Sequence, residues 1–120
     1  MNRWLVVGSF SMALAVALGA FGAHALQDQL TPKELEWWQT AQQYQVWHAL
    51  GLVLIGLLDR GGRALRASAW LFCCGTVVFS GTLYAMALGG PTWLGAITPI
   101  GGVSFIAGWL ALAWFAKRSE

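Results

Sequence analysis

Residues 4–26 read WLVVGSFSMALAVALGAFGAHAL, a run with no acidic or basic side chain apart from His24. Crossing the hydrocarbon core of a bilayer takes about 20 mostly apolar residues of helix, so this segment is long enough to cross by itself. It is also apolar on every face, which a helix at the surface of a water-soluble domain is not. The rest of the chain has the same character: of 120 residues, 58% are hydrophobic and 10% charged, where a soluble domain carries about a quarter charged. Lipid is the expected solvent. The net charge of +2 is scattered, with no basic stripe interleaved with aromatics, so nucleic acid is excluded as a partner.

Three further spans follow. Val46–Leu58 is a short apolar run, but it continues a helix whose start is marked upstream by Thr31, Pro32 and Glu34. Threonine at the cap, proline at the first helical position and glutamate three residues on form a capping-box signature. The second helix therefore begins near residue 32 outside the hydrocarbon and spans it over about residues 39–58. The third span covers residues 65–88 and stops at Gly89, Gly90 and Pro91, a strong breaker cluster. The fourth opens at Thr98 and Pro99, another cap-then-proline start, and covers residues 98–116. The expected fold is all-α, a single domain forming an integral membrane four-helix up-down bundle.

Arg3, Arg60, Arg63, Arg66, Lys117 and Arg118 all fall on one side of that topology and only Lys33 on the other. Short translocated loops are poor in Lys and Arg, so the expected location is the bacterial inner membrane, multi-pass, with N- and C-termini cytoplasmic. Trp4, Trp70 and Trp114 near the inner surface and Trp37, Trp38 and Trp93 near the outer one mark the same boundaries. Met1 to Arg3, the apolar run and Ala23-His24-Ala25 imitate a secretory signal peptide, but the run exceeds the usual signal core, and the first span is expected to be retained. Asp59 is expected beside Arg60 at the cytoplasmic turn.

Small side chains let membrane helices approach closely. Ser11, Ala15, Gly19 and Ala23 form one such stripe, and Gly101, Ser104 and Gly108 another. Both suit packing within one chain better than contacts with a second copy or another membrane protein. Cys73 and Cys74 match no disulfide, redox or zinc pattern, and both are read as packing residues.

Polar side chains at membrane depth need a partner or a purpose, and here they gather in the outer half. His24 comes from the first helix, Tyr44, Gln45 and His48 from the second, Ser80, Thr82 and Tyr84 from the third, and Thr98 from the fourth. Tyr44 and His48 lie one turn apart and share a face with Gly51. The cluster reads either as an interhelical hydrogen-bond network or as a small binding pocket. Two histidines also raise haem ligation, but at about 1.5 Å per residue His24 lies about 30 Å above the inner edge and His48 about 15 Å. No cofactor is expected. No metal site, HExxH, G-x-S-x-G, P-loop or intramembrane carboxylate pair occurs, so no catalytic residue is assigned.

Four patches carry a resemblance: GAFGAHAL at 19–26, Trp38 through Tyr44-Gln45 to His48-Ala-Leu50, FSGTLY at 79–84, and TPIGG at 98–102 with Phe105, Gly108 and Trp109. Together they resemble the YgdD/YwdK-like family of small bacterial inner-membrane proteins (domain of unknown function 423, uncharacterised protein family 0382, related to eukaryotic transmembrane protein 256). The resemblance implies a four-helix inner-membrane protein and no assigned activity. The expected function is a non-enzymatic membrane protein whose outer polar cluster binds a small ligand, lipid or partner. The alternative is a small transporter or channel with His48 and Tyr44 on its path.

Overall fold

A computed structural model describes residues 1–58 and 60–118; Asp59, and with it the expected placement beside Arg60, lies outside the described residues. Four long helices account for most of the chain, and no strand occurs among the described residues.

Helix α1, Arg3–His24, is capped by Asn2, whose Oδ1 accepts from the Leu5 amide at 3.2 Å. The same amide group donates from Nδ2 to Gly56 O at 2.9 Å, joining the start of α1 to the end of the next helix. Helix α2, Pro32–Leu58, opens with a reciprocal capping box: Thr31 N donates to Glu34 Oε1 at 2.9 Å and Glu34 N to Thr31 Oγ1 at 3.2 Å. These bonds satisfy amides that the first helical turn leaves without partners. At 27 residues, α2 is about 40 Å long.

Helix α3, Arg63–Ala87, is helical throughout but widens into a π-helical turn at Thr76–Ser80. Two residues past its end stands Gly89, whose φ of 99° a side chain would resist. A 3-10 turn, Thr92–Ala96, leads into α4, Thr98–Arg118.

Three of these segments are long and apolar enough to cross a membrane: Arg3–His24, Arg63–Ala87 and Thr92–Arg118. Helix α2, expected as a fourth span, does not reach that threshold. Its first two-thirds carry Lys33, Glu34, Glu36, four glutamines and His48, so its apolar stretch is too short.

Helix α2 is nevertheless the central one. It packs along α1 on one side and meets α3 on the other, while α3 pairs closely with α4. Against α2, α1 buries Gly8, Ala15 and Gly22, seven residues apart. The four-residue stripe expected from the sequence turns off this face: Ala15 is buried, Ser11 and Gly19 are half-buried, and Ala23 is exposed. Each four-residue step advances about 40° around a helix and each seven-residue step falls back only about 20°, so the heptad stays on the contact. A Cβ at Gly8 would lie 2.8 Å from Val53 N and 2.9 Å from Ala49 O, and one at Gly56 2.6 Å from Leu5 N. Backbone meets backbone at both points.

Between α3 and α4, glycines receive aromatic rings. Gly75 faces Phe105, and Gly101 lies against the Phe79 backbone. Phe72, fully buried, sits between Gly51 of α2 and Gly108 of α4. Ser68 Oγ donates to Gly108 O and Ser104 Oγ to Leu71 O, both at 2.7 Å. Cys73 packs against the core that includes Leu52, Ile55 and Phe72, but Cys74 is exposed. Neighbouring residues on a helix point about 100° apart, so the expectation that both cysteines pack inside is not met for Cys74.

Candidate functional site

The polar side chains cross between helices to carbonyls and hydroxyls. Gln45, 3% exposed, bridges three helices: its Nε2 donates to Ser11 O of α1 at 3.1 Å, and its Oε1 accepts from Tyr84 OH of α3 at 2.8 Å. One turn earlier, Gln42 Nε2 donates to Ala15 O at 3.3 Å, and Trp38 Nε1 donates to Leu18 O at 2.9 Å. Gly22 makes room for the Trp38 ring, which meets Tyr84 edge-on at 4.7 Å between centroids. Ser80 Oγ donates to Ala41 O at 2.7 Å, and the hydroxyls of Thr82 and Thr98 lie 2.6 Å apart. Among the described residues, no buried side-chain nitrogen or oxygen is left without a partner.

His48 is held at both nitrogens. Nδ1 lies 2.7 Å from Tyr44 O, and Nε2 is 3.0 Å from the indole Nε1–H of Trp109. An indole nitrogen only donates and a carbonyl only accepts, so the ring carries its proton on Nδ1. The imidazole lies flat on Phe105, with centroids 3.5 Å apart and planes 10° from parallel, and Phe72 meets it edge-on at 5.2 Å. Tyr44 packs among Trp47, Phe79 and Phe105.

Of the residues singled out from sequence, Tyr44, Gln45, His48, Ser80, Thr82, Tyr84 and Thr98 all make contacts between or along α2, α3 and α4. They form more than one group: Gln45 and Tyr84 turn toward α1, whereas His48 and Tyr44 turn toward α4. His24 joins neither and is exposed at the end of α1. Sequence reasoning placed it by depth, and depth does not set rotation about the helix axis.

Trp109, Phe105, Trp38 and Gln42 were not singled out as site residues. For Trp109 a signal existed: it stands well inside a span instead of at the interface, where an indole N–H finds water.

The open space lies beside the polar groups, between α2 and α4. A cleft of about 440 Å³ runs between Tyr44, Trp47 and His48 on one side and Val103, Ile106 and Trp109 on the other. Its rim is laterally open: Trp109 is 40% exposed and Val103 65%. Farther along the same pair of helices, Leu54, Leu57 and Leu112 line a second apolar cleft of about 540 Å³. The Trp109 ring, which reaches toward Gly51, stands between the two.

Over residues 18–102 the chain matches the family described as a protein of unknown function (DUF423). It is 46% identical over 114 residues to a UPF0382 membrane protein of Staphylococcus epidermidis, covering 93% of each chain. It is 42% identical over 121 residues to the UPF0382 membrane protein YwdK of Bacillus subtilis, covering 98% of each. With a UPF0382 membrane protein of Haemophilus influenzae it shares 39% identity over 122 residues, covering 99% of this chain and 97% of the other. No solved structure matches it.

Proposed function

The chain belongs to the DUF423 family, whose relatives bear the name UPF0382 membrane protein, and from that premise we propose a non-enzymatic, four-span protein of the bacterial inner membrane that holds a hydrocarbon chain in the upper cleft between α2 and α4. The observation carrying this reading is the cleft itself, concave, aromatic and opening sideways beside His48. A void of this kind facing lipid tails admits hydrocarbon; water would find few polar partners there. The imidazole at its back has both nitrogens engaged, which favours binding over acid–base chemistry.

Three partnered polar side chains in the first half of α2 support its crossing as a fourth span. Trp38, Gln42 and Gln45 direct their N–H groups to carbonyls of α1, so their polarity is satisfied away from lipid. The orientation rests on Arg3, Arg60, Arg63, Arg66, Lys117 and Arg118 at one end against Lys33 at the other. The transporter or channel alternative finds less support, because Phe72 and Phe105 pack directly on His48 and leave no polar continuation toward the arginine end.

Native mass spectrometry of the delipidated protein, given back a defined lipid mixture, tests the reading. One retained lipid per chain is expected, with retention reduced several-fold in Gly102→Leu, because Gly102 lines the cleft and an added Cβ meets only ordinary contacts. Retention unchanged by the substitution would sink the proposal, as would a dimer without lipid, which would seat a second copy in the cleft.

A further inference from the structure

The opposite end of the α2–α4 seam differs in kind. Arg60 lines the lower apolar cleft together with Leu54, Leu57 and Leu112. It also lines a separate hollow of about 250 Å³, shared with Asn2, Arg3, Trp4 and Arg66. One arginine thus borders both a basic hollow and an apolar groove.

The charges at this end have one sign among the described residues. Asp28, Glu34 and Glu36, the carboxylates the structure describes, stand at the other end of the molecule. Arg3, Arg60 and Arg66 therefore face their hollow without a counter-ion from the described chain. The nearby start of α3 adds to the field: its first turn holds no acidic residue, and Gly62, at φ 128°, supplies no side-chain cap. Unbonded first-turn amides are themselves partial positive charges. Guanidinium groups match phosphate oxygens in a bidentate fork, and basic hollows between membrane helices suit anionic lipid headgroups.

We infer that an anionic phospholipid binds here, its phosphate in the hollow between Arg3, Arg60 and Arg66 and one acyl chain in the groove of Leu54, Leu57 and Leu112. Arg60 is the hinge of the site, because only there do the polar and apolar parts of one lipid meet. The site is distinct from the upper cleft beside His48, and either stands if the other fails.

The test is lipid binding to the full chain in nanodiscs or mild detergent, read by native mass spectrometry with phosphatidylglycerol, phosphatidylcholine and soluble glycerol 3-phosphate as probes. The wild-type chain should prefer phosphatidylglycerol over phosphatidylcholine at least tenfold. Each of Arg3→Gln, Arg60→Gln and Arg66→Gln should weaken that preference about fivefold, the effect of one cation near an anionic surface. Lys33→Gln, at the far end, should leave it unchanged. Leu57→Gln should weaken phosphatidylglycerol and leave glycerol 3-phosphate as it was.

Equal affinity for the two lipids in the wild-type chain overturns the inference without any variant. Competition by glycerol 3-phosphate as strong as that by the lipid would make the hollow a site for soluble phosphate and overturn the lipid assignment. Should the arginine variants fail to fold, the wild-type preference and its loss with rising salt decide the matter.

Discussion

The indole of Trp109 donates its N–H to Nε2 of His48 across 3.0 Å, joining the fourth helix to the second beside the upper cleft. With Nδ1 against Tyr44 O, the contact defines the histidine's state: neutral, proton on Nδ1. Nitrogen-15 NMR of labelled histidine at neutral pH should show that tautomer for His48, and the Nε2–H form would contradict the geometry. Trp109→Phe, which keeps the ring and removes the donor, should destabilise the protein by about 0.6–1.7 kcal/mol, the span of measured hydrogen bonds between membrane helices. In a His48→Phe background the same substitution should cost nothing further, because its acceptor is gone. Unfolding in mixed detergent reads both values.

Glycine substitutions should divide by what their Cβ would meet. Gly8→Ala and Gly101→Ala push against backbone atoms of Val53 and Phe79, which cannot swing aside. Each should destabilise by about 1–3 kcal/mol. Gly81→Ala meets nothing within 4 Å, lies inside a helix, and should be neutral or stabilise by up to about 1 kcal/mol. A melting temperature that fell as far for Gly81→Ala as for Gly8→Ala would refute the close approaches.

The bridge through Gln45 offers a graded pair. Tyr84→Phe removes one hydrogen bond and leaves Gln45 Oε1 buried with no donor. Gln45→Leu severs the links to both Ser11 and Tyr84. Both should lower stability, by about 1 kcal/mol for the first and up to about 2 kcal/mol for the second. Thermal unfolding followed by circular dichroism would rank them, and the reverse order would show that Ser11 contributes little.

The proposed crossing of α2 is open to direct labelling. In a Cys73→Ala/Cys74→Ala background, Gln29→Cys should react with a membrane-impermeant maleimide on intact spheroplasts, and Gly61→Cys only after permeabilisation. These positions flank α2, so labelling of both from one side would mean that α2 does not cross, and the opposite pattern would invert the orientation.

What could be read from sequence was whatever is local along the chain. The Thr31–Glu34 capping box and the Gly89–Pro91 stop lie within a few residues of one another, and both occur as expected. What needed rotation about a helix axis was not legible. A helix apolar all round has no inside written in its periodicity, so nothing in α1 told Ala15 from Ala23. His24 and His48 looked equivalent by composition, yet one faces outward and the other is 3% exposed. The partnership of Trp109 with His48 spans 61 residues, and only the histidine stood out in the sequence. Helix α2 reads as too polar to cross because Gln42 and Gln45 are costly only when unpartnered, and their partners lie on other helices.

The π-helical turn at Thr76–Ser80 makes α3 longer by one residue than a regular helix over the same path. There the Gly81 amide reaches back five residues to Thr76 O, and everything after it stands in a different rotational frame from everything before. A single-residue deletion inside 76–80 would let the helix close its ordinary ladder, as a repair rather than a break, and leave the following half near its present rotation; forcing all the residues into a regular helix would instead turn that half by about 100°. In that forced regular helix Tyr84 would swing away from Gln45 and Thr82 from Thr98, while Ser68 and Phe72 kept their places. The insertion thus acts as a phase marker between two otherwise independent packing codes: the first half of α3 is cut to fit α4, and the second half to fit α2.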